Sequence, residues 1–539
     1  MWPKSIKEIS QIIGADIVGP GNVAAQISCV ATDSRRVGAD DLFVPLKGDV
    51  YDALDFVSQV VKVPGCWVLV PRQWLLGKGS IEADAGGKTI FRSADQELKN
   101  GCYLVVDDVV SAFRKLAADM RGVPGTQGSP VVVAVGGSNG KTTTKEMVVA
   151  MLGGPSTEMV STYKSENGFI GIPKTLCSRS MTAQVRRLVL EVGIDEVGSM
   201  AQHLEIVRPD VALLTSLSHE HLEGLGNFAN VVTEEMVLME GPWVRIWQCT
   251  DPVIAETMAS KVRAGDWVVV GSDGRKNEDA VLGISPASAS SPPVGSVMVT
   301  YAVDTERDLS QSIELVVSLI DKSARALELV RTSLKLSLPG KHNAANCALG
   351  FAAALAFVAV ERRSQASDFS RWMPEAAQQI SRNFVKFVPP EMRSNLENFS
   401  GGSVLLSDCY NSNPASLRAS LETARLQQFS DHQKLLFLGD MLDLGASSQS
   451  LHDDLIFELE SMANCQLYLY GEAMYSVYIK LINRGRSSGL FHLDRQQALD
   501  QWLAELRHDG RPVFALVKGS RGMAMERLLP GVREFLGQT

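Results

Sequence analysis

The sequence predicts an α/β protein of several domains, built around a phosphate-binding loop set between a buried strand and a helix. Three observations predict it. Stretches with strand patterning alternate with helical stretches through most of the chain, and no repeat of solenoid or propeller period interrupts them. The segment Val131 to Glu146, VVVAVGGSNGKTTTKE, passes from a β-branched apolar run through a glycine-rich turn into helix-compatible residues. The length of 539 residues exceeds what one core holds, so that about three or four domains are expected.

Taken in order, residues 1–107 form a first domain of short strands and turns, containing Asp33-Ser34-Arg35 and ending in the strand Tyr103 to Val106. Within it, positions 65–102 carry the glycine-rich patches LLGKGS and ADAGGK and read as an exposed insertion. Residues 108–395 form a central domain that opens with a helix from Val109 to Arg121, breaks at Gly122-Val123-Pro124-Gly125 and enters the phosphate loop. The Ser/Pro/Ala-rich stretch 285–294 is a surface loop inside this domain, because strand patterns continue on both sides of it. Just past Pro389-Pro390, residues 396–539 form a third α/β domain, beginning with Gly402-Ser403-Val404-Leu405-Leu406. The apolar run Ala344 to Val360 is interrupted by Asn346 and short for a bilayer, which makes it a buried helix.

Composition narrows the function classes. Hydrophobic residues are 45% and charged residues 21% of the chain, the profile of a globular enzyme rather than a disordered or fibrous protein. A net charge of −9 argues against nucleic-acid binding, which needs a basic face. Polar and acidic residues break up the first apolar run, so neither a signal peptide nor membrane insertion is expected. Eight scattered cysteines without a C-x-x-C pair suggest neither zinc nor disulfides and fit a reducing cytoplasm. A monomer is expected.

The loop residues Gly137, Ser138, Asn139, Gly140, Lys141, Thr142 and Thr143 have the chemistry of a nucleoside-triphosphate cradle. Glycines let backbone N–H groups converge on phosphate oxygens, Lys141 adds a point charge, and the Thr142 hydroxyl is placed for Mg²⁺. Position 135 is valine rather than glycine, so the motif is a short form that by itself leaves kinase, GTPase and ligase open. Downstream, the strand Arg187 to Leu190 delivers Glu191 to its C-terminal end, where a nucleotide-bound Mg²⁺ takes a protein oxygen. A further strand, Val211 to Thr215, leads into Ser218-His219-Glu220-His221; on spacing alone these histidines are metal ligands or a solvated turn, and the turn is the commoner case.

These motifs in this order resemble the Mur ligase family, ATP-dependent enzymes that join amino acids or peptides to the peptidoglycan precursor. The resemblance runs over nearly the whole chain: DSRRVGADDLFVPLKG, GSNGKTTTKE, Glu191-Val192-Gly193, TSLSHEHLEGLG, Gly340-Lys341-His342-Asn343, Asp408-Cys409-Tyr410-Asn411-Ser412-Asn413-Pro414, Leu438 to Gly445, and Val517-Lys518-Gly519-Ser520-Arg521. The third-domain motifs are similar to those of the branch that adds D-Ala-D-Ala to UDP-MurNAc-tripeptide. That resemblance implies a three-domain architecture: a first domain for the UDP end, a central ATP-binding domain of mostly parallel sheet, and a Rossmann-like C-terminal domain that closes on ATP and receives the dipeptide. It also implies cytoplasmic ligation through an acyl phosphate, with ATP and Mg²⁺ required.

Residue by residue, the resemblance assigns Ser34 and Arg35 to the UDP-precursor, Asn343, Asp408 and Asn411 to the nucleotide, and Lys518 and Arg521 to the dipeptide carboxylate. For Lys518 and Arg521 an ordinary basic loop is an equal alternative. Thr142, Glu191 and His221 would serve the metal, His219 being a spectator. The family position usually occupied by a carbamylated lysine beside a second Mg²⁺ falls on Glu235, which already carries a carboxylate; Glu234 is the alternative if the register slips by one. The chain departs from the family pattern at Leu54, at Asn167-Gly168 and at Ser407. A related ligase on another substrate and a non-catalytic nucleotide-binding homologue remain rival readings.

Overall fold

The computed structural model describes residues 1–48, 51–83, 89–93, 95–271, 296–306, 309–320, 325–362, 369–462, 465–486, 488–493 and 510–537. The surface loop expected at 285–294 lies outside them. The chain forms two compact units, one of residues 1–134, 155–192 and 201–210, the other of 135–154, 193–200 and 211–539.

The first unit holds a five-stranded sheet in the order Asp16–Val18, Tyr103–Val106, Trp67–Pro71, Asp41–Phe43, Cys29–Ala31, with the outer Asp16–Val18 antiparallel and the other pairings parallel. This corrects the reading of 65–102 as an exposed insertion. Trp67, Val68, Leu69 and Val70 are buried and form the middle strand; the rest includes the antiparallel hairpin Gly79–Ala83 with Thr89–Ser93. A strand covered on both faces is apolar without alternation, and four such residues just ahead of two glycine-rich patches give a weak signal. The helix Val109–Arg121 occupies its expected span. It ends on Arg121, fully buried, whose guanidinium donates to the carbonyls of Val207, Pro130 and Arg208 and to Asp210 Oδ2 at 2.7–3.1 Å. With its N–H groups and its charge both answered, this arginine is tolerated inside. Strand Met159–Ser161 pairs in parallel with Arg187–Glu191.

In the second unit the strands Val211–Leu214, Val244–Gln248, Trp267–Gly271 and Val297–Thr305 run parallel, and Gln311–Ile320 and Ala326–Leu336 continue from them as an antiparallel meander. The helix Lys141–Met151 packs on the long helix Lys341–Glu361, where Gly350 lies against Met147, Val148 and Met151. Lys341–Glu361 is long and apolar enough to cross a membrane, yet 89% of its most apolar window is buried, as befits a core helix.

The same unit carries a six-stranded sheet in the order Asn395–Asn398, Val404–Asp408, Val513–Lys518, Gln433–Gly439, Cys465–Tyr470, Leu490–Leu493, all parallel except the first pairing. Alternate residues enter opposite cores. Leu406, Leu436, Leu438, Leu467, Leu469 and Leu516 face one side, while Leu405, Leu435, Phe437, Tyr468, Ala515 and Val517 face the other. Two buried faces explain the unbroken apolar runs of these strands, and each large side chain so buried contributes about 1.5–3 kcal/mol relative to exposure. Doubly covered parallel sheets bind ligands beyond the C-terminal ends of their strands, and Asp408 and Lys518 are register partners at two such ends.

Candidate active site

The phosphate loop leaves the strand Val131–Gly136 and enters the helix Lys141–Met151 through two left-handed glycines. At Gly137 (φ 108°) a β-carbon would lie 2.3 Å from Thr215 Oγ1, and at Gly140 (φ 85°) it would lie 2.5 Å from Asn346 Nδ2. Conformation and space both require glycine there. The loop is tied down from below: the Ser138 amide donates to Ser216 O at 2.6 Å, the Asn139 amide to Ser216 Oγ at 3.1 Å, and the Gly137 amide to Glu235 Oε2 at 2.7 Å. Gly140 has no side chain with which to cap the helix, so the positive end of the helix dipole opens where an anion would sit.

Lys141 is not at the surface. It is 9% exposed, donates to Ser138 O at 3.2 Å and lies 3.5 Å from Glu220 Oε1. Burial pushes the Glu220 carboxyl up to about 8, against the pull of Lys141, and its Oε1 has no hydrogen-bond partner. Glu235, fully buried, is likewise pushed up by burial, to about 7; its Oε1 has no hydrogen-bond partner. Two buried carboxylates therefore flank the loop lysine. Glu234 does something else: its oxygens accept from the amides of Gly198 and Met200 at 2.7 and 3.3 Å, at the start of the helix Ser199–Val207.

His221 adopts a left-handed conformation (φ 48°) before the short helix Leu222–Leu225, with Nδ1 3.9 Å from Asp195 Oδ1. Burial and then Lys141 hold its pKa below the ordinary histidine value, favouring the neutral imidazole that a ligand or hydrogen-bonding role needs. His219 instead stacks on Phe228, centroids 4.5 Å apart. In the first unit, Glu191 ends its strand buried, receiving Asn167 Nδ2 on Oε1 at 2.7 Å while its amide donates to Thr162 Oγ1. Ser34 and Arg35 lie in the 3₁₀ turn Ser34–Arg36; Arg35, its side chain 86% exposed, makes a two-pronged contact with Asp33 at 2.9 Å.

A cavity of about 730 Å³ adjoins the loop, lined in part by Asn139, Gly140, Gln248, Tyr301, His342 and Asn346. The expectation for Asn343 shifts by helical phase: it is buried and donates to Pro339 O at 2.7 Å, while His342 and Asn346 reach the cavity. Gln248 donates to Thr215 O and accepts from Thr250 Oγ1, which fixes its amide.

In the C-terminal sheet, Lys518 was expected to receive a ligand carboxylate and instead pairs internally. It is 1% exposed, with Nζ 2.6 Å from Asp408 Oδ2. Asp408 also accepts from the Ser394 amide at 2.9 Å and Ser420 Oγ at 2.8 Å, so this carboxylate fastens three segments together rather than opening outward. Asn411 is exposed. Arg521 is exposed too, 2.8 Å from Glu526 Oε1, with its guanidinium 5.8 Å from the Tyr410 ring; Arg393 stacks on that ring at 4.1 Å. No sequence signal singled out Arg393, Gln248, Tyr301 or the role of Glu220. The C-terminal segment docks on the phosphate loop itself: Asn413 Nδ2 donates to Asn139 Oδ1 at 2.8 Å across 274 positions of chain.

Two family profiles match the chain, the Mur ligase middle domain over residues 135–354 and the Mur ligase glutamate ligase domain over 392–521. The chain is 27% identical to the UDP-N-acetylmuramoyl-tripeptide–D-alanyl-D-alanine ligase of Escherichia coli, with 98% of each chain covered. It is 24% identical to the Bacillus subtilis enzyme of the same name, covering 99% of each. Its fold is similar to a crystal structure of MurF from Acinetobacter baumannii, with a TM-score of 0.71 at 22% identity and both chains fully covered.

Proposed function

The chain belongs to the Mur ligase family, and we propose that it is the ligase that adds D-alanyl-D-alanine to UDP-N-acetylmuramoyl-tripeptide, forming ADP and phosphate. The observation that carries this reading is the docking of the Asn413 segment on a phosphate loop that adjoins a cavity of about 730 Å³. Amide formation from a carboxylate needs an activated acyl group. The terminal tripeptide carboxylate attacks the γ-phosphorus of ATP and the bond to ADP breaks. The dipeptide amine then attacks the acyl phosphate, loses a proton, and phosphate leaves. The chain's part is positioning and charge. Lys141 and the N-terminus of helix Lys141–Met151 receive the phosphates, the cavity beside Asn346 and Tyr301 holds the base, and His221 remains neutral near them.

Mg²⁺ would offset the oxyanion charge of the nucleotide, and the Thr142 hydroxyl on the loop is a donor of the kind it takes; Glu191 is carried over as a further oxygen donor on the resemblance to the family, and Mg²⁺ takes few protein ligands and keeps several waters. We assign Ser34 and Arg35 to the UDP end and Arg521, exposed beside Tyr410, to the dipeptide carboxylate, with Lys518 acting through Asp408. We propose that the enzyme works in the cytoplasm as a monomer of three functional parts, 1–107, 108–395 and 396–539.

The test is ADP release with UDP-MurNAc-tripeptide, with and without D-Ala-D-Ala. Release that depends on both substrates supports the assignment; no dependence on the dipeptide overturns it. Glu191→Gln is expected to raise the Mg²⁺ concentration needed for half-maximal rate. An unchanged metal titration removes Glu191 from the ligand set.

A further inference from the structure

Asn413 sits at the N-cap of the helix Pro414–Ala424 and is 5% exposed. Its Oδ1 accepts from the Ser416 amide at 2.9 Å, and its own amide donates to Ser416 Oγ at 3.0 Å. A backbone amide is always a donor, so the atom facing Ser416 must be the oxygen, and the NH₂ end must point the other way. That end donates to Asn139 Oδ1 at 2.8 Å and approaches Ser218 Oγ at 3.4 Å, while Asn139 Nδ2 donates to Ser218 Oγ at 2.7 Å. The Asn139 amide is in turn held by Ser216 Oγ. One carboxamide thus joins three segments: the phosphate loop, the turn after strand Val211–Leu214, and the first helix of the C-terminal sheet. A second contact flanks it, where the Glu223 amide donates to Asp443 O at 3.2 Å, beside His221.

We infer that Asn413 is a positioning residue for the ligation, a latch whose NH₂ group ties the docked state of the C-terminal domain to the conformation of the phosphate loop through Asn139. Its two ends have separable roles. The oxygen caps a helix, which serine does equally well; the NH₂ makes the interdomain bond, which serine is too short to reach. The inference rests on the ligase reading for its kinetic consequence and on geometry alone for its structural one.

The experiment uses the full chain with Asn413→Ser, Asn139→Ser and the double variant. Because the cap is retained, Asn413→Ser is expected to melt within a few degrees of wild type. Its kcat is expected to fall about tenfold or more, with the KM for UDP-MurNAc-tripeptide little changed, since loss of closure removes competent complexes rather than precursor contacts. The double variant is expected to lose no more than the worse single variant, because partners in one contact are not additive. Hydrogen exchange with Mg-ATP present supplies a readout independent of turnover: Asn413→Ser should raise exchange in 215–226 and 410–424. Wild-type rate and unchanged exchange in the serine variant overturn the latch. Faster exchange in Asn413→Ser, together with a wild-type chain that is inactive with the dipeptide, supports the latch and overturns the substrate assignment instead.

Discussion

Lys141→Ala is expected to lower turnover about 10²- to 10³-fold, the loss seen when one preorganised group facing developing charge is removed. The lysine points into the loop from within the protein, 3.2 Å from Ser138 O and 3.5 Å from Glu220 Oε1, so alanine also deprives a buried carboxylate of its cation. Removing one partner of a buried pair is ordinarily strongly destabilising, because the survivor cannot return to water. Glu220 has an escape. Its carboxyl already lies at about 8, so a proton can neutralise it at ordinary pH and the loss of stability should be modest. The double variant Lys141→Ala/Glu220→Gln separates the two effects. It should melt at or above the single variant, because glutamine carries no charge to bury, and it should remain as inactive. A single variant retaining more than about a tenth of the wild-type rate removes Lys141 from phosphate stabilisation.

The parts of this architecture that were legible in the sequence are those with local causes. A β-branched run before glycines and a helix-compatible stretch after them yields the strand Val131–Gly136 and the helix Lys141–Met151. An uncharged apolar stretch interrupted by Asn346 yields the core helix Lys341–Glu361, which runs longer than the stretch suggested and is known as core by its burial. What was not legible depends on partners far along the chain. Lys518 ends a strand whose register partner at position 408 happens to be an aspartate, so a cation that looked available is neutralised internally. Asn343 and Asn346 lie one helical turn apart and only packing decides which one meets the cavity. Glu220 and Glu235 have the composition of solvated acids, and nothing in their neighbours announces that both are buried against the loop lysine. Trp67–Pro71 shows the reverse error, a core strand hidden just ahead of two glycine-rich patches.

Glu235 stands where the resemblance to the Mur ligases implies a modified lysine, and the structure separates two uses of a carboxylate there. A metal ligand would direct an oxygen toward the nucleotide; here Oε2 accepts the Gly137 amide at 2.7 Å and a β-carbon on Gly136 would lie 3.0 Å from it, so the group is pressed under the loop. This geometry favours loop organisation, and it predicts an asymmetry among substitutions. Glu235→Gln keeps a carbonyl oxygen for Gly137 and carries no charge to bury, so it should retain activity within about fivefold of wild type. Glu235→Lys puts an ammonium against a backbone donor and close to Lys141, with no acceptor for the Gly137 amide, and should lose about 10²-fold or more. Carbamylation would restore a carboxylate to that lysine, but about 3–4 Å further out than glutamate places it, beyond Gly137. Added bicarbonate should therefore leave the lysine variant inactive and the wild type unchanged. Glu234→Gln, which touches a helix start and not the loop, should cost about 1 kcal/mol of stability and little activity. The measurement is turnover of all three variants with and without bicarbonate, with melting temperatures alongside. A glutamine variant that folds but fails, joined to a lysine variant rescued by bicarbonate, would show that the site needs a charged oxygen near the metal and that loop organisation is not the role of Glu235.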